Sequence, residues 1–365
     1  MSSTSKWSWK VATGVGALGV TATLFAGGAS ATTASSLTPK PAAVAVPKTA
    51  FVGAGGHTRG ALVPASRELS IYWSRVSKTA RILYTPAPPR QKLRYSAIRT
   101  RAVPQGPAVK VPGKLGAVRP PIRLGPTPAL GSKGTPWGNN WTAPATTTGK
   151  VFFTDHNGGN WVCSGSLVNT PAQDAVITAG HCVYGTAGGE LPAGETWHSN
   201  WVFAPDYSNG SAPYGYWTAR QLWTMTNYVY NGDEQDDIGA AILNRNWGWN
   251  AVALLGGQGY AWNQNSTQYV YDFGYPAAAP FNGQTLQECD GWAGWNGWWW
   301  VDMEMLNCNF TGGSSGGPWL IGFNGHWGYI NSVNDANGYF LFGGQMGGLY
   351  FGNNAGALYN AIKFV

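Results

Sequence analysis

Acidic residues are almost missing from the first third of this chain. Between residues 32 and 136 a single acid, Glu68, stands against 17 Lys and Arg, a local net charge of +16. The whole-chain value of +7 is therefore not a property of the whole molecule, because residues 137–365 hold only Lys150, Arg220, Arg245 and Lys363 against 15 acids, a net of −11. A nucleic-acid partner cannot be inferred from the total; it would require the basic leader to persist in the mature product. Long apolar runs are scarce too. The one near the start, "VATGVGALGVTATLFAGG", follows Lys6 and Lys10, is diluted by five glycines and three threonines, and ends at "ASA", Ala29–Ala31. It lacks the charged flank of a membrane anchor and reads as a secretory signal over residues 1–31, cleaved after Ala31.

Helical periodicity is nearly absent, which excludes an all-α architecture. From Pro86 to Pro136 there are 11 prolines and scattered basic residues, a composition that buries too little apolar surface to offset its ordering entropy. Residues 32–134 read as a basic pro-segment, largely extended or disordered. One β-rich stretch, Arg67–Pro86, is expected to form a small ordered element. Candidate processing points are Arg119, Arg123 and Lys133. The acidic body could hold such a segment electrostatically until it is cut away.

Residues 135–365 are rich in Gly, Trp, Tyr and Asn, with short apolar runs such as "KVFFT", "AVITAG", "IGAAIL", "QYVYDFGYP" and "HWGYINSV" bounded by turn formers. That pattern predicts an all-β barrel or sandwich. Only "NAGALYNAIKFV" predicts a helix, with Ala355, Leu358, Ala361 and Ile362 on one face and Asn353 or Asn354 as the N-cap. All four cysteines, Cys163, Cys182, Cys289 and Cys308, lie in this body. In an exported chain they favour two disulfides over zinc, whose CxxC and HxxxH spacings are missing. Three connectivities are formally open.

A serine nucleophile needs a base, itself oriented by a third group. The body has four histidines: His156, His181, His198 and His326. His181 lies in "VITAGHCV", where a β-run stops at a glycine. "TAGHC" together with "SSGGP" resembles the trypsin/chymotrypsin superfamily of serine peptidases. "GGSSGGPW" is similar to its secreted bacterial, glutamyl-endopeptidase-like branch. "CSGSLV", Cys163–Val168, precedes the histidine at the spacing of the disulfide that flanks it in the family. The resemblance covers residues 135–365. It implies two six-stranded antiparallel β-barrels with a short C-terminal helix, disulfides Cys163–Cys182 and Cys289–Cys308, and a catalytic set of His181, Asp237 and Ser315.

Asp237 is selected from "GDEQDDIGAAIL" because the family's aspartate directly precedes a branched apolar residue and a small one. Asp233, Glu234 and Asp236 are then solvated loop acids. Ser314 and Ser315 both fit G-x-S-x-G, but the family's nucleophile stands immediately before Gly-Gly-Pro, which selects Ser315. The N–H groups of Gly313 and Ser315 would form the oxyanion hole. Ser314 stands where many animal members carry an aspartate that pairs with the new N-terminus, so that activation switch should be absent. The pro-segment would act instead as a folding aid, a plug or both.

The resemblance further implies a substrate pocket walled by Asn309, Thr311 and Ser332, with no aspartate at its floor to favour Lys or Arg. His326, near the strand after the serine, reads as an ordinary surface histidine. Five tryptophans crowd residues 291–305. Trp298 and Trp300 look core-facing, while Trp292 and Trp295 are candidates for exposure. The sequence thus predicts a secreted, monomeric serine endopeptidase without cofactor or metal, acting on polypeptides, with its own pro-segment as partner, no nucleic acid and no membrane in the mature form. The competing reading is a silent relative that binds carbohydrate or protein through its tryptophans.

Overall fold

A computed structural model describes residues 50–52, 58–62, 133–155, 158–185, 197–294, 303–305, 308–337 and 346–365. The segment read as a signal, most of the segment read as a pro-segment, including Arg67–Pro86, Arg119 and Arg123, and also His156, Trp295, Trp298 and Trp300 lie outside the described residues. No helix among the described residues is long and apolar enough to cross a membrane.

Two sheets carry the body. The first contains β4 (Thr148–Thr154), β5 (Asn160–Val168), β6 (Ala175–Ala179), β7 (Ser199–Pro205), β8 (Trp217–Met225) and β9 (Ile238–Leu243). They pair in the ring β4–β5–β6–β9–β8–β7, and β7 returns to β4, so the sheet closes into a six-stranded barrel. The second contains β11 (Gln268–Gly274), β12 (Gln287–Gly294), β13 (Met303–Met305), β14 (Pro318–Ile321), β15 (Tyr329–Asn337) and β16 (Met346–Gly348). Its order is β15–β14–β11–β12–β13–β16, with β16 pairing back to β15. The short β10 (Gly259–Tyr260) adds to β15, and β3 (Thr135–Pro136) adds to β12. The expected all-β, two-barrel architecture is therefore observed.

The apolar runs form strands because they are buried. Every residue of β4, β6, β7 and β9 is buried, and they read as apolar or small-residue runs broken only by Lys150 in β4 and Asn200 in β7. Trp201, Trp217, Phe153 and Phe203 fill the first core, and Trp319, Phe310 and Val270 the second. Two helical turns escaped the sequence pattern, α1 (Thr226–Asn231) and α2 (Ala251–Leu255), each too short to show a period. The third helix, α3 (Asn353–Ile362), is the expected one, with Ala355, Leu358 and Ile362 buried. Its N-cap is Gly352, without a side-chain cap. Asn353 accepts from Asn263 instead, and Asn354 donates to Asp236 at 2.5 Å.

The basic N-terminal segment contributes β1 (Ala50–Val52) and β2 (Thr58–Leu62), an antiparallel pair whose second strand lies along β8.

Candidate active site

Strand β6 ends at Ala179, and the chain turns through the short 3-10 segment Gly180–Cys182. Beside it, β9 begins immediately after Asp237, with Ala179 opposite Ile238. The pairing places Asp237 against the turn. Its carbonyl accepts from Gly180 N–H at 3.0 Å, and Oδ1 accepts from His181 N–H at 2.6 Å. A Cβ at Gly180 would stand 2.7 Å from Asp237 Oδ1, so glycine is required for the carboxylate to come this close. The turn is clamped from behind as well: His198 Nε2 bonds the carbonyl of His181 at 2.9 Å, and Trp201 Nε1 donates to that of Cys182 at 2.9 Å. His198 is fully buried and stacked on Phe153, so its role is to hold this turn. The Cys163–Cys182 disulfide ties the turn to β5, and Cys289–Cys308 is also formed.

His181 Nδ1 lies 2.6 Å from Asp237 Oδ2. Burial pulls the imidazole's pKa down, but the charge and hydrogen bond of Asp237 outweigh it, and the net direction is upward. A third group joins the pair. Asp335 Oδ1 stands 3.8 Å from the same Nδ1, and its carboxyl is hydrogen-bonded to Asp237. Burial, then the neighbouring Asp237 charge and that hydrogen bond, with Glu234 adding to them, push Asp335 well above the carboxylate range. It therefore carries the proton between the two acids. His181, Asp237 and Asp335 bring one ligand atom each within 4.8 Å, a donor set for a cation, but Nδ1 is already committed to Asp237.

Ser315 arrives from the second barrel on the loop before β14. Ser164 N–H donates to the Ser315 carbonyl at 2.8 Å, and Cys182 Sγ lies 3.7 Å from that oxygen, which brings Ser315 beside the turn that carries His181. Gly316 has φ 79°, and a Cβ there would lie 2.1 Å from Thr178 Oγ1 and 2.5 Å from Ser164 O. Asn334 holds the loop from below: its carbonyl accepts from Gly316 N–H at 2.7 Å, its N–H donates to Gly317 O at 2.9 Å, and its amide donates to Ser314 O at 3.2 Å. Gly313 has φ 97°. Among the described residues neither Gly313 N–H nor Ser315 N–H has an acceptor, and the Ser315 hydroxyl has no partner, His181 included. Nucleophile–base hydrogen bonds commonly tighten only around substrate.

The pocket residues separate. Asn309 Oδ1 accepts from Gly134 N–H at 2.8 Å, and the Thr311 hydroxyl bonds the Ala278 carbonyl at 2.9 Å. Ser332 is fully buried, and its Oγ would lie 2.5 Å from a Cβ at Gly348, inside the second barrel. Its hydroxyl is thus closed to a substrate. Because side chains alternate along a strand, it is Asp335, three positions on, that faces the site. Asp236 also departs from expectation: it is 3% exposed and accepts from Asn354, so it anchors α3 instead of sitting in solvent. Asp233 caps the 3-10 turn at Glu234–Asp236 through Gln235 N–H. His326 is exposed, bonded to the Ala143 carbonyl at 3.2 Å. Trp292 is 44% exposed.

No family model matches the chain. Among solved structures, the protease Anisep from Arthrobacter nicotinovorans is 36% identical, with a TM-score of 0.55 over 64% of this chain and 100% of that one. A thermostable serine protease, AL20, from an extremophilic microorganism is 38% identical, with a TM-score of 0.55 over 60% of this chain and 98% of its own. The chain belongs to the trypsin/chymotrypsin-fold serine proteases, and it is a peptidase whose substrates are polypeptides. A curated relative, the extracellular metalloprotease of Bacillus subtilis (strain 168), is 34% identical over 94 residues, and this match spans 26% of each protein.

Proposed function

We propose that this chain is a secreted serine endopeptidase, made as a preproprotein, that hydrolyses peptide bonds through an acyl-enzyme. Ser315 Oγ attacks the scissile carbonyl carbon while His181 Nε2 takes its proton. The oxyanion that forms is met by the N–H groups of Gly313 and Ser315. The proton on His181 then passes to the leaving amine, and water, activated by the same imidazole, releases the acyl group. Asp237 holds the ring with Nδ1–H toward it and stabilises the imidazolium. Asp335, kept neutral, donates to Asp237 and steadies that carboxylate without adding a second negative charge.

The observation that carries the reading is the 2.6 Å contact between His181 Nδ1 and Asp237 Oδ2, on a turn that the Cys163–Cys182 disulfide ties to β5, whose Ser164 N–H donates to the Ser315 carbonyl. The test is labelling with a fluorophosphonate probe followed by peptide mass spectrometry. Label on the peptide containing Ser315, retained in Ser314→Ala and lost in Ser315→Ala, is the expected result. A folded, leader-free protein that takes no label would sink the proposal and favour the silent relative that binds carbohydrate or protein through its tryptophans.

A further inference from the structure

Strand β8 has two edges, and the leader occupies one of them. Residues Ala219–Thr224 pair with β9 on one side. On the other, β7 covers β8 only at Val202–Thr218 and Phe203–Trp217. From Gln221 to Met225 that second edge is covered by the leader strand β2, in the register Thr58–Met225, Arg59–Thr224, Gly60–Trp223, Ala61–Leu222 and Leu62–Gln221. Because Gln221–Thr224 pair with β9 at the same time, β2 must fill the edge that β7 leaves open. Without the leader, a row of backbone donors and acceptors in a seam of the first barrel would be uncovered, and such an edge is a template for another strand.

The side chains match the backbone. Thr58 is 1% exposed and Gly60 is buried, so the strand is inserted and not merely laid on the surface. The Arg59 guanidinium lies 4.6 Å from the centre of the Tyr230 ring on α1. Arg59 is one of the leader's 17 basic residues, and the body it meets carries a net −11. The contact also reaches toward the proposed active site. Thr224, opposite Arg59, donates its hydroxyl to Ile238 O at 2.9 Å, next to Asp237. Met225, opposite Thr58, leads directly into α1, whose Tyr228 is buried near Asp237 and Asp335.

We infer that leader residues Thr58–Leu62 are a separable strand of the first barrel that stays bound to the body, without a covalent link, after the chain is cut between residues 62 and 134. The inference rests on reading residues 32–134 as a pro-segment. It makes the leader's action β-augmentation of the seam at Gln221–Met225, where main-chain hydrogen bonds give affinity and charge opposition speeds association. The leader is then a scaffold for the approach to Asp237, and the vacated seam is a docking site for this strand.

The test uses the full chain with Ser315→Ala and a site-specific protease sequence inserted after Arg119. The precursor is purified, cut, and passed over gel filtration in about 0.1 M salt, then about 1 M salt, where the Debye length falls to roughly 3 Å. Intact mass identifies what co-elutes. The cut leader is expected to travel with the body at low salt, and amide exchange at Gln221–Met225 to stay slow. In the body freed of leader, those amides should exchange at least tenfold faster, and adding a synthetic peptide of residues 45–65 should restore protection. Arg59→Glu in that peptide should weaken binding by tenfold or more, and Gly60→Pro, which removes a backbone donor, should weaken it further. A leader that separates from folded body at low salt would overturn the proposal. So would a peptide that leaves exchange at 221–225 unchanged. Since Ser315→Ala has no nucleophile, the result is independent of the peptidase reading, which the fluorophosphonate experiment decides.

Discussion

Asp335 and Asp237 illustrate how much a single proton decides at the residue scale. Two charged carboxylates beside one imidazole would repel each other, whereas a neutral Asp335 donates a hydrogen bond and leaves one negative charge to pair with His181. The groups facing Asp335 are Asp237, Glu234, Tyr228 and His181. Asp335→Asn keeps an N–H donor toward Asp237 and should retain turnover within about threefold, while Asp335→Ala should lose roughly tenfold or more in kcat. The pH profile separates positioning from simple structural support. His181 must be neutral to accept a proton, so kcat/KM falls as pH drops through its raised pKa. Ionisation of Asp335, displaced upward from the ordinary carboxylate range, adds a further step that Asp335→Asn must lack. Identical profiles for wild type and both variants would remove Asp335 from the mechanism. Neither Asp335 nor the supporting Asn334 was legible in the sequence, because their importance depends on how β15 registers with its neighbours. Ser332 was misplaced for the same reason: one step along a strand exchanges the two faces.

The Ser315 loop and the histidine turn depend on glycines at the level of elements, and these glycines differ sharply. Gly316 has positive φ and meets Thr178 and Ser164 at distances no Cβ tolerates, whereas Gly312 has nothing within 4 Å of an added Cβ. In a Ser315→Ala background, which avoids self-digestion, Gly316→Ala should cost about 3 kcal/mol or more in denaturant unfolding, and Gly312→Ala about 0.5 kcal/mol or less. Equal effects would mean that the contact between the loop and β6 is not what holds Ser315. The His181 and Ser315 motifs were readable because each is a short contiguous run whose chemistry and turn geometry coincide. The role of Asp236 was not. Its partner Asn354 is 118 residues away, and an acidic cluster in a loop has the same local pattern whether it is solvated or buried.

The proposed catalytic set is divided across the molecule: His181 and Asp237 sit on the first barrel, Ser315 and Asp335 on the second. Ser164 bridges them. Its hydroxyl donates to Gly313 O at 2.9 Å and accepts from Tyr275 N–H at 2.9 Å. Ser164→Ala leaves that buried N–H unpaired and should cost about 1–3 kcal/mol of stability. Turnover should fall further than binding, because the Gly313 peptide loses its fixed orientation; an unchanged kcat in a destabilised variant would confine the bridge to folding. The all-β plan was legible from many short apolar runs separated by turns, whereas its division into two barrels was legible only through the family resemblance of the histidine and serine motifs. The leader's place on β8 was not, since "TRGAL" has no pattern that sets it apart from the rest of a basic segment.

The C-terminal helix has a consequence for the order of biosynthesis. Although it follows the second barrel in sequence, α3 is fastened to the first: Asn354 to Asp236, Tyr359 to the Asn169 carbonyl, the Lys363 carbonyl to Ala172, and the Val365 carbonyl to Arg220. The ribosome therefore emits both halves of the proposed catalytic machinery before the piece that fastens the 3-10 turn ahead of Asp237. The growing chain completes both barrels with that turn capped by Asp233 but not yet fastened to α3, so the last tie to be made lies beside the proposed catalytic pair.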